Sequence, residues 1–128
     1  MILLRPKQAT GEQMVGHTDT AERLARLLDE LAVHEGTHPT PVEGVQVTRT
    51  SESSTHRTPV VYQPKIVVVG QGRKRGYLGD KVYQYDPFNY LVLSVPLPAE
   101  CEWEASPEEP VLLVSIDVEP TNARRDAA

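Results

Sequence analysis

The densest cluster of reactive-looking groups in the 128-residue chain is "VVGQGRKRGYLG", residues 68–79, with four glycines and three consecutive basic residues. Gly70, Gly72 and Gly76 spell G-x-G-x-x-x-G, one residue longer than the usual dinucleotide-binding spacing. A phosphate cradle also requires that the loop open a helix whose first amides hold the anion. The chain continues instead as "YLGDKVYQY", in which bulky residues alternate around a turn. No helix is available there, and the pattern argues against a cradle. The triplet Arg73-Lys74-Arg75 reads as a solvated strand edge, whose charges keep it from pairing with another chain; contact with nucleic acid is the weaker alternative.

Metal and catalytic constellations are hard to assemble. A metal site on a β-barrel of the cupin type needs two histidines one residue apart on a strand, a carboxylate and a later histidine, so that the imidazoles converge. The histidines are His17, His34, His38 and His56, and only His56 borders the β-rich region, without a partner two residues on. No G-x-S-x-G occurs, and Cys101 lies in a regularly alternating run whose glutamates face the other way. Glu108-Glu109 lie in a turn beside Pro110. Catalysis is not expected, nor is a metal or other cofactor. There remain the aromatic residues Tyr62, Tyr77, Tyr83, Tyr85, Tyr90 and Trp103, all on predicted strands. Their amphipathic side chains suit a β-core or the lining of a small ligand pocket.

The elements that would position them begin at Thr18. Asp19 and Glu22 have capping-box spacing, Leu24, Leu27, Leu28 and Leu31 recur at helical intervals, and Gly36 is a stop. These signals predict one amphipathic helix over 19–34, whose leucine stripe caps the domain's own core or, alternatively, pairs with another chain. Residues 1–17 lack periodicity and read as a flexible lead-in, and "EGTHPTPVEG" as a linker. Beyond it the period becomes two. Eight short strands are predicted over 44–50, 60–62, 66–69, 73–78, 81–85, 90–95, 99–105 and 112–118, with Gly79-Asp80 turning one hairpin. Residues 66–69 are apolar on both faces and belong centrally. In "AECEWEA", Ala99, Cys101, Trp103 and Ala105 share one face, while Glu100, Glu102 and Glu104 share the other. Eight strands after one helix predict a mainly β fold, an antiparallel sandwich or jelly-roll barrel.

Bulk properties narrow the function. Eighteen acidic and thirteen basic residues leave a net charge of −5, the wrong sign for a stand-alone nucleic-acid binder. A single cysteine rules out an intrachain disulfide, and no stretch has the length of a signal core or membrane span, so a cytoplasmic protein is expected.

The run from Tyr62-Gln63-Pro64 through Gln71-Gly72-Arg73-Lys74 to Tyr85-Asp86-Pro87 and Tyr90-Leu91, within residues 61–120, closely resembles the N-terminal domain of a subgroup of AraC-type transcriptional regulators. "AERLARLLDEL" and "EGVQVTRTS" stand where that family has a helix and an opening strand, so the resemblance covers about residues 18–120. It implies a cupin-like jelly roll without metal that senses a small-molecule effector and helps the regulator to form a homodimer. On that reading Tyr62, Tyr83, Tyr85, Tyr90 and Trp103 are the expected ligand-binding residues. Such regulators read DNA through two later helix-turn-helix units. Only "TNARRDAA" stands after Pro120, so the tail 121–128 is expected to lack the DNA-binding domain. A metal-dependent cupin enzyme and a stand-alone interaction module are the alternatives.

Overall fold

The computed structural model describes residues 2–6 and 11–118. In chain order the elements are β1 (Ile2–Pro6), α1 (Gly11–Leu31), β2 (Gly36–Pro39), β3 (Val45–Thr50), β4 (Thr58–Tyr62), β5 (Lys65–Gln71), β6 (Arg73–Leu78), β7 (Lys81–Tyr85), β8 (Asn89–Leu93), β9 (Leu97–Glu104) and β10 (Val111–Asp117). Among the described residues the strands form a six-stranded sheet, β1-β8-β5-β10-β3-β2, and a four-stranded sheet, β4-β9-β6-β7. Every pairing is antiparallel. From β3 onward the chain passes back and forth between the two sheets, changing sheet at every connection except the β6–β7 hairpin. The fold is the expected mainly β, jelly-roll-like sandwich. Its sheets keep separate edges and do not close into a barrel.

Two strands exceed the predicted eight, and both lie at sheet edges. β2 falls in the expected linker and pairs with β3 from Gly36↔Arg49 to Pro39↔Gln46, helped by a 2.9 Å bond between the hydroxyls of Thr37 and Thr48. β1 pairs with β8 inside the stretch read as a lead-in. Such pairings depend on an edge offered from far along the chain, which local periodicity does not register. α1 begins at Gly11, earlier than expected, and ends at Leu31 instead of residue 34. At that end Arg49 of β3 donates to the carbonyl oxygens of Asp29 and Ala32 and pairs with the Asp29 carboxylate, supplying the cation that a helix C-terminus favours.

The helix lies on the outer face of the six-stranded sheet, where Leu28 and Ala32 pack with Val47 and Leu112, flanked by Leu24 and Val114. Burying Leu28 is worth about 1.5–3 kcal/mol. Only half of the leucine stripe is used in this way, because Leu27 and Leu31 remain 55% and 60% exposed. The helix comes this close because of Gly70, where a Cβ would lie 2.8 Å from Leu28 Cδ1 and 3.3 Å from the Ala25 backbone. The pairing Leu112↔Gln71, Leu113↔Val69 makes Gly70 the extra residue of a β-bulge. Gly72, at φ +83°, then carries the chain into the other sheet. The first two glycines of the G-x-G-x-x-x-G run thus serve helix docking and a sheet crossing.

Between the sheets lies the main core. The six-stranded sheet contributes Val67, Val69, Leu91, Leu93, Val111 and Leu113, and the four-stranded sheet contributes Tyr62 and Tyr85 with Tyr83, Leu97, Ala99 and Trp103 packed alongside. One wall is aliphatic and the other is aromatic.

Candidate functional site

The aromatic wall carries polar groups, and their placement stems from strand parity. Pairing of β6 with its neighbours sets Lys74 opposite Tyr85 on one side and Trp103 on the other. The next row on that face is Tyr83, Gly76, Cys101 and Thr58. Gly76, the third glycine of the motif, leaves room for Tyr62, whose hydroxyl would stand 3.3 Å from a Cβ there. That hydroxyl bonds the Tyr85 hydroxyl at 3.0 Å. Burial pushes the Tyr62 phenol up to about 12, and burial likewise raises Tyr85 well above the ordinary tyrosine range.

Lys74 is the group that parity alone would have located. Read as composition, Arg73-Lys74-Arg75 is a charged strand edge. In fact β6 is an interior strand between β9 and β7, and the period of two turns the middle residue inward. Its ammonium lies 5.1 Å from the centroid of the Trp103 ring, a cation–π contact. Burial holds its pKa below the usual lysine range. It forms no ion pair among the described residues. The Trp103 indole is fixed from its other edge, donating from Nε1 to the Glu52 carbonyl at 2.8 Å.

The two arginines face outward, as do Glu102 and Glu104. Arg73 bonds Glu104 at 3.1 Å, and Arg75 bonds Glu102 and Glu104 at 3.0 Å each. Tyr77 also donates to Glu102, and Arg57 stacks over the Tyr77 ring at 3.6 Å. Hydrogen bonds from Tyr77 and Arg75 lower the Glu102 pKa, and those from Arg75 and Arg73 lower that of Glu104. This face is a neutralised ladder, with its cations already matched by carboxylates.

A cavity of about 550 Å³ opens at the end of the sandwich, within the range of small-ligand sites. It is bounded by the β5–β6 bend (Gln71, Gly72), the β7–β8 turn (Asp86, Pro87, Phe88) and the β9–β10 loop (Ala105, Ser106, Glu109), with Ser53, Arg73 and Glu104. Arg73, Asp86 and Glu104 are the chain neighbours of Lys74, Tyr85 and Trp103. Tyr85, Lys74 and Trp103 themselves do not line the cavity, since strand neighbours take opposite faces.

Of the five expected ligand residues, Tyr62, Tyr83, Tyr85 and Trp103 share the inner face of the four-stranded sheet. Tyr90 belongs to β8, next to the inward-facing Leu91, and so takes the opposite face of the six-stranded sheet. None of the five lines the cavity directly. Among the described residues no three histidine, cysteine, aspartate or glutamate side chains gather as metal ligands. The His38 ring bonds the His34 carbonyl at 2.8 Å, while His56 contacts Thr55. Cys101 is buried in the core beside the tyrosine pair. The cavity itself presents a polar mouth, with Gln71, Arg73, Asp86, Glu104 and Ser106 on its lining.

No curated protein matches the chain. The family model of the AraC-type transcriptional regulator N-terminus matches residues 41–126, which takes in β3 to β10 and both walls of the core. The chain belongs to the family of AraC-type transcriptional regulator N-termini.

Proposed function

We propose that this chain is the effector-sensing part of an AraC-type regulator, a non-catalytic cupin-like domain that takes a small molecule at the open end of its sandwich. The observation that carries this reading is the cavity of about 550 Å³ at the open end of the sandwich. Contact with the ligand falls to the cavity's own lining, Arg73, Asp86, Phe88 and Glu104 among them, with Tyr83, Trp103 and the Tyr62–Tyr85 pair in the core nearby. DNA contact is assigned to helix-turn-helix units beyond these residues. The net charge of −5 and the neutralised arginine ladder support that division. Among the described residues no helix is long and apolar enough to cross a membrane, in keeping with work beside DNA in the cytoplasm.

An effector can act only through unequal affinity for two arrangements of the regulator. A compound captured by dialysis of the domain against small-molecule pools should change the DNA affinity of the full-length regulator, and about 100-fold corresponds to roughly 2.7 kcal/mol of coupling. DNA affinity unaltered by every captured compound would remove the sensing role.

A second reading concerns assembly. Leu27 and Leu31 expose a short apolar stripe on α1, which supports a homodimer through that helix. Leu27→Glu with Leu31→Glu spares the buried Leu28 and should shift sedimentation toward the monomer. An unchanged oligomeric state would take α1 out of the interface.

A further inference from the structure

We infer that the ligand of this cavity is a small organic amine, bound as its ammonium, with the Asp86 carboxylate as counter-ion and the Phe88 ring as contact surface. The inference rests on the sensing role proposed for the same cavity and names the chemistry of what is sensed. The lining carries one cation, Arg73, against three carboxylates, Asp86, Glu104 and Glu109. Arg73 is already bonded to Glu104 at 3.1 Å, so the lining offers an anion no unmatched cation. Asp86 and Glu109 form no ion pair among the described residues. The excess negative charge belongs to the cavity and not to the sheet face beside it, where Arg73 and Arg75 balance Glu102 and Glu104. A cleft lined by one sign of charge between low-dielectric walls concentrates ligands of the opposite sign.

The β7–β8 turn places the carboxylate and the ring on the same cavity wall. Asp86 donates its backbone N–H to the Asn89 side-chain oxygen at 2.9 Å, and the Asn89 N–H donates back to the Asp86 carbonyl at 3.2 Å. Asn89 Nδ2 also donates to the Gln84 carbonyl at 3.1 Å. One Asp86 carboxylate oxygen accepts from the Phe88 N–H at 2.9 Å, and the other accepts from Gln84 Nε2 at 3.3 Å. These bonds fix the turn from within, and Phe88 is left 58% exposed. Asparagine closes such a turn as aspartate does, so the turn alone does not account for the charge at position 86. An ammonium with an apolar body would find there a charge-assisted hydrogen bond and an open aromatic face for cation–π contact. Pro87 and Ala105 extend the apolar part of the lining.

The test uses the full chain, calorimetry, and a panel of arylalkyl and alkyl primary amines, each paired with its neutral N-acetyl derivative. At least one amine should bind about tenfold or more tightly than its acetylated partner. Asp86→Asn keeps an acceptor for the Phe88 N–H and should remove most of that preference, and adding Glu109→Gln should abolish it. Phe88→Ala, at an exposed position, should weaken the arylalkyl amines severalfold. An unchanged thermal midpoint in Asp86→Asn would show that its loss is not a folding defect. Glu109→Gln breaks no side-chain bond and should lower the preference by itself, so the test stands even if Asp86→Asn does not fold. Acetylated compounds binding as well as their amines, or a preference that survives in Asp86→Asn with Glu109→Gln, would overturn the cationic assignment and leave sensing intact. If no amine binds, while compounds captured from other chemical classes do, the assignment fails alone. If nothing binds from any class, both readings fail.

Discussion

Replacing Tyr85 with Phe tests whether the two central tyrosines act as a structural unit. Tyr85 is 1% and Tyr62 8% exposed, and their hydroxyls meet at 3.0 Å, near the long end of the O–H···O range. The bond itself is therefore an ordinary neutral one, worth about 1 kcal/mol net. Its loss matters chiefly for the hydroxyl left behind in a dry site, so each single change should cost about 1–3 kcal/mol. Tyr62→Phe should cost more than Tyr85→Phe. The hydroxyl it strands, that of Tyr85, is the more deeply buried. Tyr62→Phe with Tyr85→Phe removes both polar groups and should cost only about 0–1 kcal/mol, less than either single change. Urea unfolding monitored by circular dichroism measures all three. In thermal unfolding, a domain of this size shifts its midpoint by roughly 2–6 °C per kcal/mol. A double variant as unstable as the sum of the singles would refute the pairing.

Two further predictions come from the same wall and from the helix beside it. Gly70→Ala puts a methyl 2.8 Å from Leu28 Cδ1 and 3.3 Å from the Ala25 backbone, so α1 must shift; a loss of about 1–3 kcal/mol in urea unfolding is expected, and no loss would contradict the close docking. Between the lowered pKa of Lys74 and its unfolded value of 10.5, the unfolded chain holds more protons, so stability should rise with pH in that window. The tyrosines act in the opposite sense. Tyr62 is raised from 10.0 to about 12, so its contribution is complete below pH 10 and is lost as pH climbs toward 12. Chemical denaturation across this range should show Lys74→Met flattening the rise and the double Phe variant flattening the fall. Profiles identical to wild type would contradict both assignments.

Strand parity makes much of this site legible in the sequence. The alternation in "AECEWEA" places Cys101 and Trp103 inside and the glutamates outside, and the bonds from Arg73 and Arg75 to Glu102 and Glu104 agree with it. The glycine motif has no helix to open, as its surroundings in the sequence indicate, yet its roles under Leu28, at the sheet crossing and beneath Tyr62 depend on long-range contacts. Lys74 escapes a reading that treats a run of like charges as one solvated block, although neighbouring strand residues cannot share a face. Tyr90 goes astray for a related reason. Parity within one strand does not say which of its faces meets the other sheet. β1 and β2 escape detection because an edge strand acquires its partner only in the assembled fold.

The central claim, a ligand held in the cavity at the open end of the sandwich, has a built-in reporter, since Trp103, beside the cavity-lining Glu104 in sequence, is the only tryptophan in the chain. Titration of a compound known from calorimetry to bind should change the Trp103 emission in a saturable way, with the midpoint matching the calorimetric affinity. Saturable binding that leaves the Trp103 emission unchanged would place the ligand elsewhere and contradict the account.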